Sequence, residues 1–161
     1  MKKFIFILIC FPFGLVAQLK DLTFEEIELL RSNESRPIAV FLYSDWCKYC
    51  HYMKTTTLRD EEVIRLLNEK YYFSFLNVED DRDIHFNGFY SDYIPTGREA
   101  EVYQLNKVLT SISKNYPYPT FLIFDSSMKI IFQYEGFIDH RTLAYSLKHL
   151  TKPQKGENTV E

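Results

Sequence analysis

Two cysteines three residues apart, Cys47 and Cys50, are the side chains whose type and spacing most clearly indicate chemistry. Sulfur atoms at this spacing share one face of a helical turn, so a disulfide can close between them without rearranging the chain. Such a pair can exchange disulfides with other thiols, bind a metal ion or form a local structural bridge. Which of these applies depends on the elements that position the two sulfurs.

The sequence before the pair predicts its position. Residues 37–43 form a continuous apolar run rich in strand-forming residues, which predicts a central strand buried on both faces. A helix is predicted to open at Cys47, where free N–H groups and the helix dipole stabilise a thiolate. Cys50 lies one turn deeper, so we expect Cys47 to attack and Cys50 to resolve the mixed disulfide. Lys48 and His51 add positive charge nearby, although ordinary solvated helix residues are the simpler interpretation of both.

The first 17 residues have the layout of a secretory signal peptide. Two lysines precede an apolar run over residues 4–13, and cleavage is expected between Ala17 and Gln18. The run is shorter than the roughly 20 residues of a membrane-spanning helix, and Pro12 interrupts it. We therefore expect a chain secreted across the inner membrane into a periplasm, with no stable membrane anchor after cleavage.

Composition narrows the function classes. Hydrophobic residues make up 46% and charged residues 25%, which predicts one globular domain, and 17% aromatic residues predict a core built on rings. The net charge of −3, without a basic stripe, argues against nucleic acid as a partner. Signal cleavage removes Cys10 and two lysines, so the mature charge is −5 and Cys47 and Cys50 are its only thiols. One CxxC pair is no disulfide framework, which leaves chemistry, a metal or one local bridge.

The remaining pattern alternates helices and strands. The predicted elements are a helix capped by Thr23 and Glu26, a strand at 37–43, helices opening at Cys47 and Asp60, a strand at 71–78, a helix at 98–113, strands at 120–124 and 129–134, and a helix from Asp139 to about Leu150. Asn87-Gly88 is a turn signal that indicates a short hairpin. With the two consecutive helical stretches from Cys47 and Asp60 counted as one, the order α-β-α-β-α-β-β-α predicts an α/β sandwich with a mixed sheet. Residues 151–161 are polar and are expected to form a frayed tail.

Three features then resemble one known family. Trp46-Cys47-Lys48-Tyr49-Cys50 resembles the WCxxC motif of the thioredoxin superfamily. Tyr118-Pro119-Thr120 resembles the cis-proline loop of that family, and Gly136 falls where the family often places a glycine. The resemblance covers about residues 37–150 and implies a thioredoxin-like sandwich. It also implies an insertion before the third helix, at about residues 84–113.

The resemblance implies a thiol–disulfide oxidoreductase that exchanges disulfides with protein substrates through the redox disulfide Cys47–Cys50. It implies no organic cofactor and no metal, and it implies a redox partner protein. The cis-proline loop should pack beside the cysteines and hold an extended substrate chain by strand-like hydrogen bonds. The implied substrate contacts are Trp46, Tyr118, Pro119 and Thr120. The residues between the cysteines leave the direction open among reductase, isomerase and oxidase.

The sequence departs from the family pattern in two places. Phe41 and Phe75 stand where close relatives of thioredoxin carry a buried Asp and Lys that help deprotonate the resolving cysteine. Glu79 or an ordered water is then a candidate for that proton. The insertion is rich in aromatic residues, which either shape a substrate groove or cover the edge of the sheet. These rings are Phe86, Phe89, Tyr90 and Tyr93.

Other function classes remain as alternatives. Residues 47–51 also read CxxCH, the attachment sequence for c-type haem, with His51 as proximal ligand and Met53 or Met128 as distal sulfur. The strand before the motif argues against haem, because haem attachment usually lies on a helix of a mostly helical domain. A zinc site lacks further ligands at a suitable spacing. A non-catalytic thioredoxin-like binding module with a structural bridge is the last alternative.

Overall fold

The computed structural model describes residues 18–80, 84–86, 89–91 and 117–150. Helices lie at Phe24–Arg31 (α1), Lys48–Thr55 (α2), Glu61–Lys70 (α3) and His140–Leu150 (α4), with a short 3₁₀ helix at Thr57–Arg59. Strands lie at Ile38–Tyr43 (β1), Tyr72–Asn77 (β2), Ile84–Phe86 (β3), Phe89–Ser91 (β4), Thr120–Phe124 (β5) and Ile130–Glu135 (β6). The predicted signal peptide, the predicted helix at 98–113 and the predicted tail lie outside the described residues.

The main sheet is mixed and has β1 in its interior. Its strand order is β2-β1-β5-β6, with β1 parallel to β2 and antiparallel to β5, and with β5 antiparallel to β6. Five consecutive side chains of β1, from Ile38 to Leu42, are completely buried. The prediction of a central strand covered on both faces is therefore confirmed.

The alternation of side chains along β1 divides the core into two layers. Ala39 and Phe41 face the layer that also contains the buried sides of α2, α3 and α4. Val40 and Leu42 face the opposite layer, where Phe24 of α1 packs. Phenylalanines of β1, β2 and β5 fill the first layer, as the aromatic composition predicts, and these are Phe41, Phe73 and Phe121.

The predicted helix caps are present. The Thr23 hydroxyl accepts a hydrogen bond from Glu26 N at 3.2 Å, and the Glu26 carboxylate accepts one from Thr23 N at 2.8 Å. Asp60 accepts hydrogen bonds from the first-turn amides of α3. Each bond satisfies an N–H group that has no partner within the helix, so these helices begin where the sequence predicts.

The β5–β6 hairpin is confirmed, but β6 begins one residue later than predicted. Asp125 Oδ1 accepts hydrogen bonds from Ser127 N, Ser127 Oγ and Lys129 N, so Lys129 belongs to the turn. The side-chain bond from Ser127, followed by the amide of Lys129, lowers the pKa of Asp125. Met128 closes the turn in the left-handed region, with φ 68°, a conformation unusual for a side chain of this size.

The segment ahead of α1 lies along the outer edge of β2. Leu22 N donates a hydrogen bond to Phe73 O at 2.9 Å, and Asp21 Oδ1 accepts one from Phe75 N at 2.9 Å. Asn68 of α3 holds the start of the segment through Gln18 O and the amide of Lys20. The segment that precedes α1 is therefore tied to both α3 and β2.

The short hairpin indicated by Asn87-Gly88 is also confirmed. Strands β3 and β4 pair antiparallel on either side of that dipeptide, with Ile84 opposite Ser91 and Phe86 opposite Phe89. They form a separate two-stranded sheet. The role of the aromatic side chains in this region stays a prediction, because those side chains lie outside the described structure.

Candidate active site at the Cys47–Cys50 pair

Cys47 is the N-cap residue of α2. Its backbone is extended, with φ −80° and ψ 103°, and its carbonyl accepts the helical bond from His51 N at 3.1 Å. The Cys47 sulfur accepts a hydrogen bond from Cys50 N at 3.1 Å. The two sulfurs are joined in a disulfide of 2.12 Å. On reduction, that N–H and the positive end of the helix would stabilise a Cys47 thiolate.

Both cysteines are more buried than an exposed redox loop would suggest. Cys47 retains 6% of its surface and Cys50 retains 1%, and Met53 packs below them in the core. Cys47 is therefore more exposed than Cys50, as predicted, although the difference in exposed fraction is small.

Residues from two strand ends hold the loop that carries Cys47. Ser44 O accepts a hydrogen bond from Cys47 N at 3.2 Å, and Tyr43 O accepts one from Val78 N at 2.9 Å. The Glu79 carboxylate, just past β2, accepts a hydrogen bond from Asp45 N at 2.6 Å. Glu79 thereby ties the end of β2 to the start of the cysteine loop, a positioning contact that the sequence did not reveal.

Glu79 was considered above as a proton acceptor for Cys50, and a pair of variants separates that role from anchoring. We expect Glu79→Ala to lower the unfolding free energy by about 1 kcal/mol and to reduce disulfide exchange several-fold, because the charged acceptor of Asp45 N is lost. Glu79→Gln keeps an oxygen in place and should retain most activity. Urea unfolding and pH–rate profiles are the measurements. Equal loss in both variants, with an altered pH profile, would assign Glu79 to proton transfer instead.

The predicted cis-proline loop lies beside the cysteine loop. The Tyr118–Pro119 bond is cis, as the resemblance implies, and the Tyr118 ring contacts the Trp46 ring edge-to-face with centroids 6.2 Å apart. Pro119 O accepts a hydrogen bond from Gly136 N at 2.7 Å, and Gly136 has φ +93°, which a side chain would oppose. Thr120 is buried and its hydroxyl donates to Pro117 O, so this side chain holds the loop.

Four large aromatic side chains are exposed on the cysteine loop, on α2 and on the loop after β6. These four side chains, each between 37% and 67% exposed, are Trp46, Tyr49, Tyr52 and Phe137. The rings of Tyr52 and Phe137 contact each other with centroids 5.3 Å apart, which joins α2 to the loop after β6. Trp46 was predicted as a site residue, whereas Tyr52 and Phe137 were not. In the sequence, Phe137 is marked only by its position after Gly136, and nothing marks Tyr52 as part of this surface. We call these four residues the aromatic rim.

An aromatic cluster lies at the two positions where the resemblance to thioredoxin implies a buried acid and base. Phe41 and Phe75 are register partners on β1 and β2, and their rings meet edge-to-face at 5.8 Å. Tyr43 contacts both rings at 6.0 and 6.2 Å. The ammonium group of Lys54 lies over the Tyr43 ring, 2.9 Å from its centroid. The absence of the acid–base pair at these two positions leaves apolar rings in that layer of the core.

A sequence model of the thioredoxin-like domain family matches residues 23–151. The chain belongs to the thioredoxin-like domain family. No curated protein sequence matches the chain. The matched range includes the cysteine pair, the cis-proline loop and all four helices of the described residues, so the family assignment and the site geometry concern the same domain.

Solved structures show the same fold at low sequence identity. A thioredoxin from Thermus thermophilus is 18% identical with a TM-score of 0.58, over 83% of this chain and 87% of that chain. The DsbH oxidoreductase is 16% identical with a TM-score of 0.55, over 84% and 88%. A disulphide isomerase from Xylella fastidiosa Temecula1 is 11% identical with a TM-score of 0.55, over 80% and 88%. The thioredoxin-like α/β fold predicted from the sequence is therefore confirmed.

The thioredoxin-like fold with its CxxC pair supports thiol–disulfide oxidoreductase activity in general. The haem alternative gains nothing from the geometry. Met53 is fully buried and lies on the same helix as His51, so the two side chains cannot face each other across a haem. Within residues 18–80 and 117–150, no three potential ligands cluster around a metal position, and no helix has the length and apolar character of a membrane span.

Proposed function

We propose that this thioredoxin-like domain exchanges disulfides with protein substrates outside the cytoplasm, with Cys47 as the attacking sulfur and Cys50 as the resolving sulfur. The observation that carries the proposal is the hydrogen bond from Cys50 N to the Cys47 sulfur at the N-terminus of α2. This arrangement favours the thiolate of the outer cysteine, which is the reactive form in disulfide exchange.

In the reducing direction, the Cys47 thiolate attacks a substrate disulfide and forms a mixed disulfide, while one substrate sulfur leaves as a thiolate. The Cys50 thiolate then attacks the Cys47 sulfur. The Cys47–Cys50 bond forms, the second substrate sulfur leaves, and the substrate has gained two electrons. The oxidising direction runs through the same mixed disulfide in reverse order. No metal or organic cofactor is required in either direction.

The aromatic rim supports a protein substrate rather than a small thiol. Exposed apolar surface grouped around a reactive centre is typical of an interaction site. Rigid aromatic side chains supply contact area at a low cost in conformational entropy. Trp46 contacts Tyr118 of the cis-proline loop, while Tyr52 of α2 contacts Phe137 of the loop after β6. An extended chain that presents its sulfur to Cys47 would contact rings on both sides.

Two features support an extracytoplasmic location for the mature protein. The first 17 residues have the layout of a signal peptide, with two lysines before an apolar run over residues 4–13. Since signal cleavage also removes Cys10, the redox pair would then be the only thiols of the mature chain. A redox partner in the same compartment would restore the active form of the pair after each exchange.

Insulin reduction by the mature protein, with dithiothreitol as electron donor, tests the proposed function. We expect insulin precipitation well above the rate with dithiothreitol alone, and no acceleration by protein whose two cysteines have been alkylated. Equal rates for native and alkylated protein would contradict disulfide exchange and favour a binding module. Equilibration with glutathione buffers assigns the direction. A potential of about −270 mV indicates a reductase and one of about −120 mV indicates an oxidase.

A further inference from the structure

Lys54 lies on the same side of α2 as the resolving cysteine, one turn further along. Residues four apart in a helix have their Cβ atoms about 5–6 Å from each other. Cys50 is fully buried, and Lys54 is half-buried. The helix therefore places the base of a cationic side chain one turn from the thiol that must lose a proton before it can resolve a mixed disulfide.

The Lys54 ammonium lies over aromatic rings of the main sheet. It lies 2.9 Å from the centroid of the Tyr43 ring and 5.2 Å from that of Phe75. A cation over the face of an aromatic ring is attracted by the ring quadrupole, more strongly where water is excluded. Both rings contact Phe41, whose layer of the core also contains Cys50. The cation is thus held against an aromatic cluster that packs on the same layer of the core as Cys50.

Burial and nearby negative charges have opposite effects on the pKa of Lys54. Burial lowers the pKa of Lys54, while the charges of Asp45 and Asp21 raise it and oppose that shift. Asp45 lies in the loop before the cysteines, where Glu79 binds its amide, and Asp21 lies in the segment along β2. Arg59 of the 3₁₀ helix lines the same open cavity of about 560 Å³ as Lys54. The ammonium is therefore partly desolvated, and its field on neighbouring groups is less screened than at an open surface.

We propose that Lys54 is a positioning residue whose charge stabilises the thiolate of Cys50 and thereby promotes release of the mixed disulfide. This inference rests on the proposed function. The Cys50 thiol first gives its proton to water, and the resulting thiolate attacks the Cys47 sulfur. The Cys50–Cys47 bond forms, the bond from Cys47 to the substrate breaks, and the substrate leaves as a thiolate. Lys54 takes no part in these bonds and acts through its charge.

The ionisation of Cys50 tests the proposal. In a Cys47→Ser background, Cys50 is the only thiol of the mature chain, so its thiolate absorbance in the ultraviolet gives its pKa directly. We expect Lys54→Met to raise this pKa by roughly one unit, because a nearby positive charge favours the charged form of a thiol. Lys54→Arg should keep the lower value. Lys70→Met, which removes an exposed lysine at the end of α3, is the matched control and should leave the pKa unchanged.

The same substitutions in the intact cysteine pair provide a second readout. We expect the pH–rate profile of insulin reduction to move to higher pH in Lys54→Met, and Lys54→Arg to restore it. Lys54→Gln is prepared in parallel in case Lys54→Met does not fold. An unchanged Cys50 pKa in a folded neutral variant, or no rescue by arginine, would overturn the role of Lys54. Failure of the unsubstituted protein to reduce insulin would instead overturn the proposed function, since the Cys50 titration does not depend on turnover.

Discussion

Replacement of Cys47 by serine is expected to reduce insulin reduction to the rate of dithiothreitol alone. A serine hydroxyl is almost wholly protonated at neutral pH, and it lacks the sulfur that must form the mixed disulfide. The substitution changes one atom at the N-cap, and serine is itself a favoured cap, so α2 should remain folded. Unchanged circular dichroism together with lost turnover would separate the chemistry from folding.

Cys50→Ala provides the counterpart. Cys47 then still attacks, but the mixed disulfide cannot be resolved from within the protein, so substrates are expected to remain covalently attached. Mass spectrometry of Cys50→Ala after incubation with an oxidised peptide would show the adduct, and Cys47→Ser would show none. Full turnover by Cys50→Ala, or adducts that form through Cys50 in Cys47→Ser, would reverse the assigned roles.

Phe41→Ala is expected to lower the unfolding free energy by about 3–5 kcal/mol. Phe41 is completely buried, and its ring contacts Tyr43, Phe75 and Phe121. Truncation removes those contacts and leaves a cavity, because the surrounding structure is expected to relax only partially. A loss of that size is a large part of the roughly 5–15 kcal/mol that stabilises a typical domain.

Chemical unfolding of the oxidised protein in urea is the measurement for Phe41. Phe41→Leu, which keeps most of the volume, should cost less than about 1.5 kcal/mol. Tyr145→Ala removes a ring that is 65% exposed and should change stability by less than about 0.5 kcal/mol. A loss below 1 kcal/mol in Phe41→Ala would show that the cluster relaxes around the cavity and that this ring is not essential to the core.

Local sequence signals predicted the elements that position the site. The run at 37–43 forms the buried strand β1. Five successive apolar side chains lie on both faces of a strand, so both faces must be covered by other parts of the protein. The capping pattern at Thr23 and the acidic residue Asp60 marked helix starts, since each supplies a side-chain acceptor within three residues. The cysteine pair at the start of α2 followed from the same kind of local information.

The contacts that refine the site lie between residues far apart in the chain. Glu79 reaches the amide of Asp45 across 34 positions, and Tyr52 meets Phe137 only because the loop after β6 returns to α2. The sequence pattern is that of a solvated helix residue at Lys54, whereas in the fold its ammonium lies over the ring of Tyr43. Periodicity and capping rules describe neighbours in sequence, so they contain no information about such pairs. The left-handed backbone conformation of Met128 was likewise not predictable, because such conformations are usually indicated by glycine or asparagine.

The segment ahead of α1 also has a consequence for how the domain behaves in a crowded solution. An unpaired strand edge is a template on which another chain can add, and this is a common route to aggregation. Leu22 and Asp21 occupy backbone groups on the outer side of β2, and Asn68 fastens the segment in place. The residues just after the expected cleavage site thus cover the outer edge of β2. If a signal peptidase cut several residues further along, the cysteines would be intact, but the exposed edge would make the chain more prone to aggregation.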